Sequence, residues 1–239
     1  MDSFRPNQGP LDLSIEANKT AFVLGEPVYV TAKLRNQASE PIALRREEEY
    51  LMLYLSSDGI QFQLIEEGIV AFHLSDFGAR NELLRPGDEW EFKAVVHHTH
   101  LTDSRLVINQ PGGYYLGAEF GGYTLGDNPH GWPNYLKSSN IIKISFEKPK
   151  GVDAQILEML RGKDGTFKDY GYLVRGVLGR NDELIEKLYD IVQNYPRSVY
   201  TLIIRQALVG FFERWMKVIN EPGLSVKEKQ MYESLRPQH

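Results

Sequence analysis

The chain contains no cysteine, which removes thiol nucleophiles, thiolate zinc centres and disulfide staples from the chemistry open to it. That absence leaves the compartment undetermined, since exported and cytoplasmic proteins alike dispense with the residue. A basic surplus is also missing: 27 Lys and Arg stand against 32 Asp and Glu, a formal net charge of −5. With no positive field to neutralise a phosphate backbone, sequence-independent nucleic-acid binding is not expected. No apolar run reaches the roughly 18 to 20 residues of a membrane-spanning helix, the longest being broken by Arg, Glu or Lys. There is no Gly-x-Ser-x-Gly, no His-Glu-x-x-His and no dinucleotide-binding fingerprint, and no cofactor is implied. Paired carboxylates for glycoside hydrolysis stay open, because acids that folding brings together leave no spacing to read.

The polar opening Met1 to Pro10, with Pro6, Gly9 and Pro10, lacks the charged-then-apolar layout of a secretory leader and reads as a flexible N-terminus. Two locations follow, the cytoplasm or an extracytoplasmic space after loss of a leader, and the second is slightly favoured. The tripeptide Asn18-Lys19-Thr20 fits a glycosylation acceptor, a pattern that chance supplies often.

What is present is a change of period. The 239 residues are 42% hydrophobic, enough for a sizeable core in one large domain or two ordinary ones. From Leu11 to about Phe146 apolar residues alternate with polar ones, the period of strands with one buried and one wet face. Leu11, Leu13, Ile15 and Ala17 form the first such row. Val28, Val30, Ala32 and Leu34 form the second, after the turn Gly25-Glu26-Pro27. Pro41 opens a short strand to Leu44, as expected at a sheet edge. Tyr50 to Ser56, the turn Ser57-Asp58-Gly59 and Ile60 to Ile65 predict a tight hairpin with Ile60, Phe62 and Leu64 on one face. Ile69 to Leu74 and Arg105 to Ile108 are further strand candidates. Pro86-Gly87-Asp88 precedes Trp90, Phe92, Ala94 and Val96, and Tyr114 to Phe120 and Asn140 to Phe146 complete roughly eight to ten strands.

Glu147-Lys-Pro-Lys-Gly151 ends the alternation, so residues 11–148 are assigned to the strands and 149–239 to a helical region. There apolar residues fall three and four apart: Ile156, Met159 and Leu160, then Leu184, Leu188, Ile191 and Val192 after a cap at Asn181 or Asp182. Ser198 can cap a longer helix whose Leu202, Ile203, Leu208, Phe211, Phe212, Trp215 and Ile219 form a face wide enough to be covered on several sides. Ser225-Val-Lys-Glu228 fits a capping box for a last helix that ends near Arg236-Pro237.

The stretch Gln110-Pro-Gly-Gly-Tyr-Tyr-Leu-Gly-Ala118 resembles the start of a late strand in an immunoglobulin-like sandwich. The resemblance implies that Tyr114 turns its ring into the core and returns its hydroxyl to nearby backbone. The residue two places on is often a disulfide cysteine in that family and is Leu116 here. With the turns at Gly25-Glu26-Pro27 and Pro86-Gly87-Asp88, the likeness extends over Leu11 to Phe146. It looks like a bacterial immunoglobulin-like module and, more loosely, like the intracellular proteinase inhibitor family. The implied fold is an antiparallel immunoglobulin-like β-sandwich followed by a small all-α C-terminal region. The piece Asp190 to Tyr200, with Tyr195-Pro-x-Ser-x-Tyr200, resembles the junction between helices in tetratricopeptide-like arrays of bacterial envelope proteins. A single copy reads as one helix-turn-helix, because a solenoid needs about three stacked repeats.

Gly121 to Ser139 reads as a long turn-rich connection presenting Tyr123, His130, Trp132 and Tyr135, the candidate ligand-binding residues. Their rings offer flat apolar contact with a polar handle, suited to a glycan or a protein partner. The plainer alternative is that they cap the end of the sandwich or pack against the helices. His97, His98 and His100 form the densest histidine group. On a strand His98 and His100 share one face about 7 Å apart, a workable spacing for two metal ligands, with no third ligand identifiable. Arg45-Arg46-Glu47-Glu48-Glu49 reads as a charged edge that discourages strand addition, or as a docking patch. Gly162-Lys-Asp-Gly165 lacks the rest of a phosphate loop and reads as an inter-helix turn. The expected function is a non-catalytic binding or protein-interaction module of a bacterial envelope with the aromatic connection as its ligand surface, and a proteinase-inhibitor-like protein and a metal-dependent enzyme using His98 and His100 are the alternatives.

Overall fold

Strands form where the alternation is strictest. In a computed structural model, which describes residues 10–45, 51–65, 81–96, 108–122, 135–163, 165–174, 181–217 and 223–236, Leu11–Ala17 is strand β1. Its Leu11, Leu13 and Ile15 are buried while Asp12, Ser14 and Glu16 are exposed. Short β2, Ala21–Val23, follows, and then β3, Val28–Asn36, which buries Val28, Val30, Ala32 and Leu34. Ile42–Arg45 is β4, Leu51–Ser56 is β5, Gln63–Leu64 is β6 and Asn81–Leu84 is β7. Glu89–Val96 is β8, Gly112–Gly122 is β9, Tyr135–Ser138 is β10 and Ile142–Glu147 is β11. The helices after them are α1, Gly151–Leu160; α2, Lys168–Val174; α3, Asp182–Asn194; α4, Thr201–Lys217; and α5, Val226–Leu235. β-sheets arranged as a sandwich are thus followed by C-terminal helices.

The chain divides into two compact units, and the division is not contiguous. The turn Val23–Glu26 belongs with the segment that begins at Lys148, although its place in the sequence is among the strands. Periodicity could not reveal this, because a turn carries no period.

In the strand unit, β1, β3 and β8 form one antiparallel sheet in that order, with Leu13 opposite Leu34 and Leu34 opposite Trp90. A six-stranded sheet runs β2, β11, β9, β5, β6, with β10 also on β9; β4 pairs with β7 separately. The inner faces meet through rings, Phe92 of β8 lying 5.5 Å from Phe120 of β9. Polar side chains finish what the ladders leave open. Asn140, between β10 and β11, accepts from the Ile15 N–H at 2.7 Å and donates to its C=O at 3.1 Å, giving β1 a side-chain substitute for a neighbouring strand. Ser139 does the same for β9, its Oγ accepting from the Ala118 N–H at 2.9 Å.

Asn36 is buried at 0% exposure. Its Nδ2 donates to the Leu84 and Glu40 carbonyls at 2.8 and 2.9 Å, and its Oδ1 accepts from the Ala38 N–H at 2.8 Å. Its backbone N–H reaches the Asp88 carbonyl and its carbonyl accepts from Gly87. One residue therefore joins the ends of β3 and β7 to two turns.

Tyr114 donates its hydroxyl to the Gln110 carbonyl at 2.9 Å, and its ring meets Phe146 edge-on at 5.8 Å. The ring is half-buried, since it sits near the start of β9 where the sheet gives out. The expected two-residue hairpin after β5 is wider. Asp58 accepts from the Ile60 and Gln61 N–H groups and from the Ser56 hydroxyl, opening the turn so that Ile60 is 76% exposed. Only Tyr54 to Leu64 and Leu55 to Gln63 pair beyond it. Strands β2, β7 and β10, of three or four residues each, lie outside the expected set, being too short to show alternation. The candidate strand at Ile69 to Leu74, most of Arg105 to Ile108, and Ile219 lie outside the described residues.

In the helical unit, Asn181 is the N-cap of α3, accepting from the Leu184 N–H, and Ser225 with Glu228 forms a complete capping box on α5. Helix α4 packs with α2, α3 and α5 and buries Ile203, Ile204, Leu208, Phe211 and Phe212. Leu202 departs from expectation at 60% exposure, lying one residue off that face. Ser198 accepts from the Tyr200 N–H at 3.3 Å, while its own hydroxyl donates to Asp153 on α1 at 2.7 Å.

Replacing Asn36 by Ala strands the buried Leu84 carbonyl and two part-buried backbone groups, at Ala38 and Glu40, and we expect a loss of about 3 kcal/mol. Asn140→Ala, which removes an exposed side chain and two part-buried bonds, is expected to cost about 1 kcal/mol. Urea denaturation with an unchanged m-value checks both, and equal midpoints for the two variants contradict the ranking.

Candidate functional site

The aromatic connection starts from β9 and returns on β10. Gly122 pairs with Tyr135, Gly121 with Leu136, Phe120 with Lys137 and Glu119 with Ser138, so an antiparallel stem holds both ends of residues 123–134 together. Of the candidate ligand residues, Tyr135 opens β10. Tyr123, His130 and Trp132 lie outside the described residues, as do His97, His98 and His100 and the charge run after Arg45. Among the described residues, no three His, Asp or Glu side chains gather where they could hold a metal ion.

The stem carries a polar network that sequence reading missed. Glu119 stands on the outer face of β9, between Met52 of β5 and Ser138 of β10. Ser138, only 5% exposed, donates to Glu119 Oε1 at 3.2 Å. From β5 the Tyr54 hydroxyl also bonds to Glu119. Tyr54 sits opposite Gly117, one step diagonally from Glu119, within the reach of an aromatic side chain. Burial, followed by the hydrogen bond to Glu119 and the charge of that residue, raises the Tyr54 hydroxyl well above its ordinary value of 10.0. The only sequence sign of this group was a polar residue at the outward position of a strand, which many solvated strands share.

Further along the same face Tyr115 is held from two sides. Gly59, at φ +76°, leaves its ring room that a Cβ would narrow to 3.2 Å, and the Lys143 ammonium lies 5.8 Å from the ring centroid. The outer surface of the six-stranded sheet therefore presents tyrosine rings beside a carboxylate whose position is fixed by two hydroxyl donors. Such a surface offers flat apolar contact beside a hydrogen-bond acceptor.

The helical unit carries a depression of about 330 Å³ whose lining includes Lys150, Asp153, Asn194, Tyr195, Arg197 and Ser198. It is shaped by the Tyr195 to Tyr200 junction. Thr201 Oγ1 and the Ser198 N–H both donate to the Tyr195 carbonyl, and Asp153 accepts from the Ser198 hydroxyl and the Val199 N–H. Its acid is thus engaged in holding the turn. The glycine-flanked loop Gly162 to Gly165 is an inter-helix turn, in which Gly162 donates to the Thr166 carbonyl and accepts from the Gly165 N–H.

No family model and no curated protein matches this chain. Solved structures show a distant likeness to immunoglobulin-like and CARDB-type β-sandwich domains. The sporulation control protein Spo0M of Bacillus subtilis is 14% identical at a TM-score of 0.33, over 59% of this chain and 50% of that one. The alkylpurine DNA glycosylase AlkC of Pseudomonas fluorescens is 13% identical at 0.32, over 59% of this chain and 31% of its own. A CARDB domain from Pyrococcus furiosus is 9% identical at 0.30, over 59% of this chain and 94% of the domain. The chain therefore spans half or less of the first two proteins. The likeness concerns architecture alone.

The Tyr54 network has a measurable consequence. A tyrosine whose folded value is raised favours the folded state while it is protonated. Its contribution is whole below pH 10.0 and is lost as pH rises through the folded value. We expect Glu119→Gln to let Tyr54 ionise at lower pH, though still above 10.0 because burial is the larger cause. Ultraviolet titration of phenolate absorbance, with Tyr54→Phe identifying the transition, checks it. An unmoved transition in Glu119→Gln contradicts the network.

Proposed function

We propose that this chain is a non-catalytic binding or protein-interaction module, of a bacterial envelope, whose ligand surface is the aromatic connection bearing Tyr123, His130, Trp132 and Tyr135. The observation that carries the reading is the paired stem from Gly122 and Tyr135 to Glu119 and Ser138. A connection whose two ends are locked in one ladder loses less conformational entropy when it meets a ligand, so its rings act at smaller cost. Beside that stem the Tyr54–Glu119–Ser138 network supplies a positioned acceptor, and a glycan hydroxyl or a peptide N–H suits it. The envelope setting rests on the resemblance of the Tyr195-Pro-x-Ser-x-Tyr200 junction to helix junctions of envelope proteins.

The finer family reading, a bacterial immunoglobulin-like module related loosely to the intracellular proteinase inhibitors, rests on turn chemistry. Gly25 and Gly87 adopt positive φ, and Tyr114 hydrogen-bonds back to Gln110 at the Pro-Gly-Gly-Tyr corner. These features support the fold more than the inhibition, because turn residues close a sandwich whatever it binds.

Affinity electrophoresis through gels containing soluble polysaccharides, together with a crosslinking search for protein partners, identifies the ligand class. The double variant Trp132→Ala, Tyr135→Ala is then expected to lose that binding with a Tm change below about 2 °C. Retained binding, or a Tm loss several times larger, shows that these rings pack the fold instead.

A further inference from the structure

Four residues from the first half of the chain belong to the helical unit, and their surroundings are unusually specific. The turn Val23–Glu26 is closed by its own groups: the Glu26 N–H donates to the Val23 carbonyl at 2.9 Å, and the Val23 N–H to Glu26 Oε2 at 3.0 Å. Around it stand two tyrosines, Tyr170 of α2 at 1% exposure and Tyr200, just before α4, at 0%. Their hydroxyls donate to successive carbonyls of the turn, Tyr200 to Leu24 at 2.5 Å and Tyr170 to Gly25 at 2.8 Å. Leu24 is itself buried at 7% exposure.

The fit is also steric. Gly25 has φ +83°, and a Cβ there would lie 2.8 Å from Leu157 Cδ1 on α1 and 3.4 Å from the Tyr200 ring. A side chain at this position is excluded both by backbone conformation and by space. Ser198 and Asp153 brace the clasp from behind, since the Ser198 hydroxyl accepts from the Tyr200 N–H and donates to Asp153 on α1. Withdrawal of the turn would take these carbonyl acceptors from two buried hydroxyls, at a cost of about 1–3 kcal/mol for each bond lost. Helices α1, α2 and the start of α4 therefore lack part of their interior unless the turn occupies it.

We propose that Val23–Glu26 is an intramolecular ligand of the helical segment: the residues after Lys148 are not a self-sufficient domain, and their order depends on two tyrosines reading the carbonyls of Leu24 and Gly25. The turn is then a conformational key. Its withdrawal loosens the helices, and its insertion restores them.

Hydrogen exchange in the full chain tests this. Gly87→Ala is the control, because Gly87 has nearly the same conformation, φ +82°, but nothing within 4 Å of the added Cβ. Gly25→Ala is expected to speed amide exchange about tenfold in α1 around Leu157 and in α4 around Ile204, with β1 and β3 matching the Gly87→Ala protein. Tyr170→Phe and Tyr200→Phe, which remove a hydrogen bond without adding bulk, are expected to speed the same helical amides by a smaller factor. They carry the test if Gly25→Ala does not accumulate. Helical protection in these variants equal to that of Gly87→Ala overturns the proposal, as does a rise shared uniformly by every strand and helix.

Discussion

Burying a carboxamide leaves unmet donors and acceptors that cost about 1–3 kcal/mol each unless a partner is supplied. Asn36 is completely buried and bonds through both ends of its amide, to backbone groups at Ala38, Glu40 and Leu84. Those partners lie on one turn and on a strand 48 residues away, so the end of β3 cannot move without breaking bonds in both. The rest of the strand unit hangs on that constraint. The sheets bury their apolar rows only if the strands keep register, and register at the ends of β3 and β7 is held there.

The same device recurs throughout a protein that has no disulfide to fasten it. Asn140 serves the backbone of Ile15, Ser139 that of Ala118, Tyr114 that of Gln110, and Tyr170 and Tyr200 those of Gly25 and Leu24. Each of these side chains bonds directly to a backbone group of another segment or turn. Such bonds are directional, so they select one arrangement among the many that apolar burial alone would tolerate. Salt bridges between the described residues play little part in this, lying at exposed positions where their worth is small.

Function, on the reading proposed, uses a rigid stem and an aromatic connection, and chemistry is left to neither. Glu119 is a positioned acid. Two hydroxyls from neighbouring strands fix it, and its place on a ladder of the six-stranded sheet makes it part of a surface. The helical unit is organised on another principle. Its helices are capped in sequence-readable ways at Asn181 and Ser225, yet part of its interior comes from far away in the chain.

Period and local chemistry alone determined a good deal of this protein. The rows Leu11 to Ile15, Val28 to Leu34 and Trp90 to Val96, the capping box at Ser225 and the Tyr114 corner were legible because each depends on residues close together in the chain. The candidate site was legible only as a composition, a run of aromatic residues between strands. The tertiary structure alone decided the stem that closes it, because β10 is four residues long and its partner is chosen by pairing. It alone decided the widened turn at Asp58, the Glu119 network and the clasp on Leu24 and Gly25. In the clasp, hydroxyl and carbonyl are separated by 176 and 145 residues, and no local pattern encodes a hydrogen bond across such a distance.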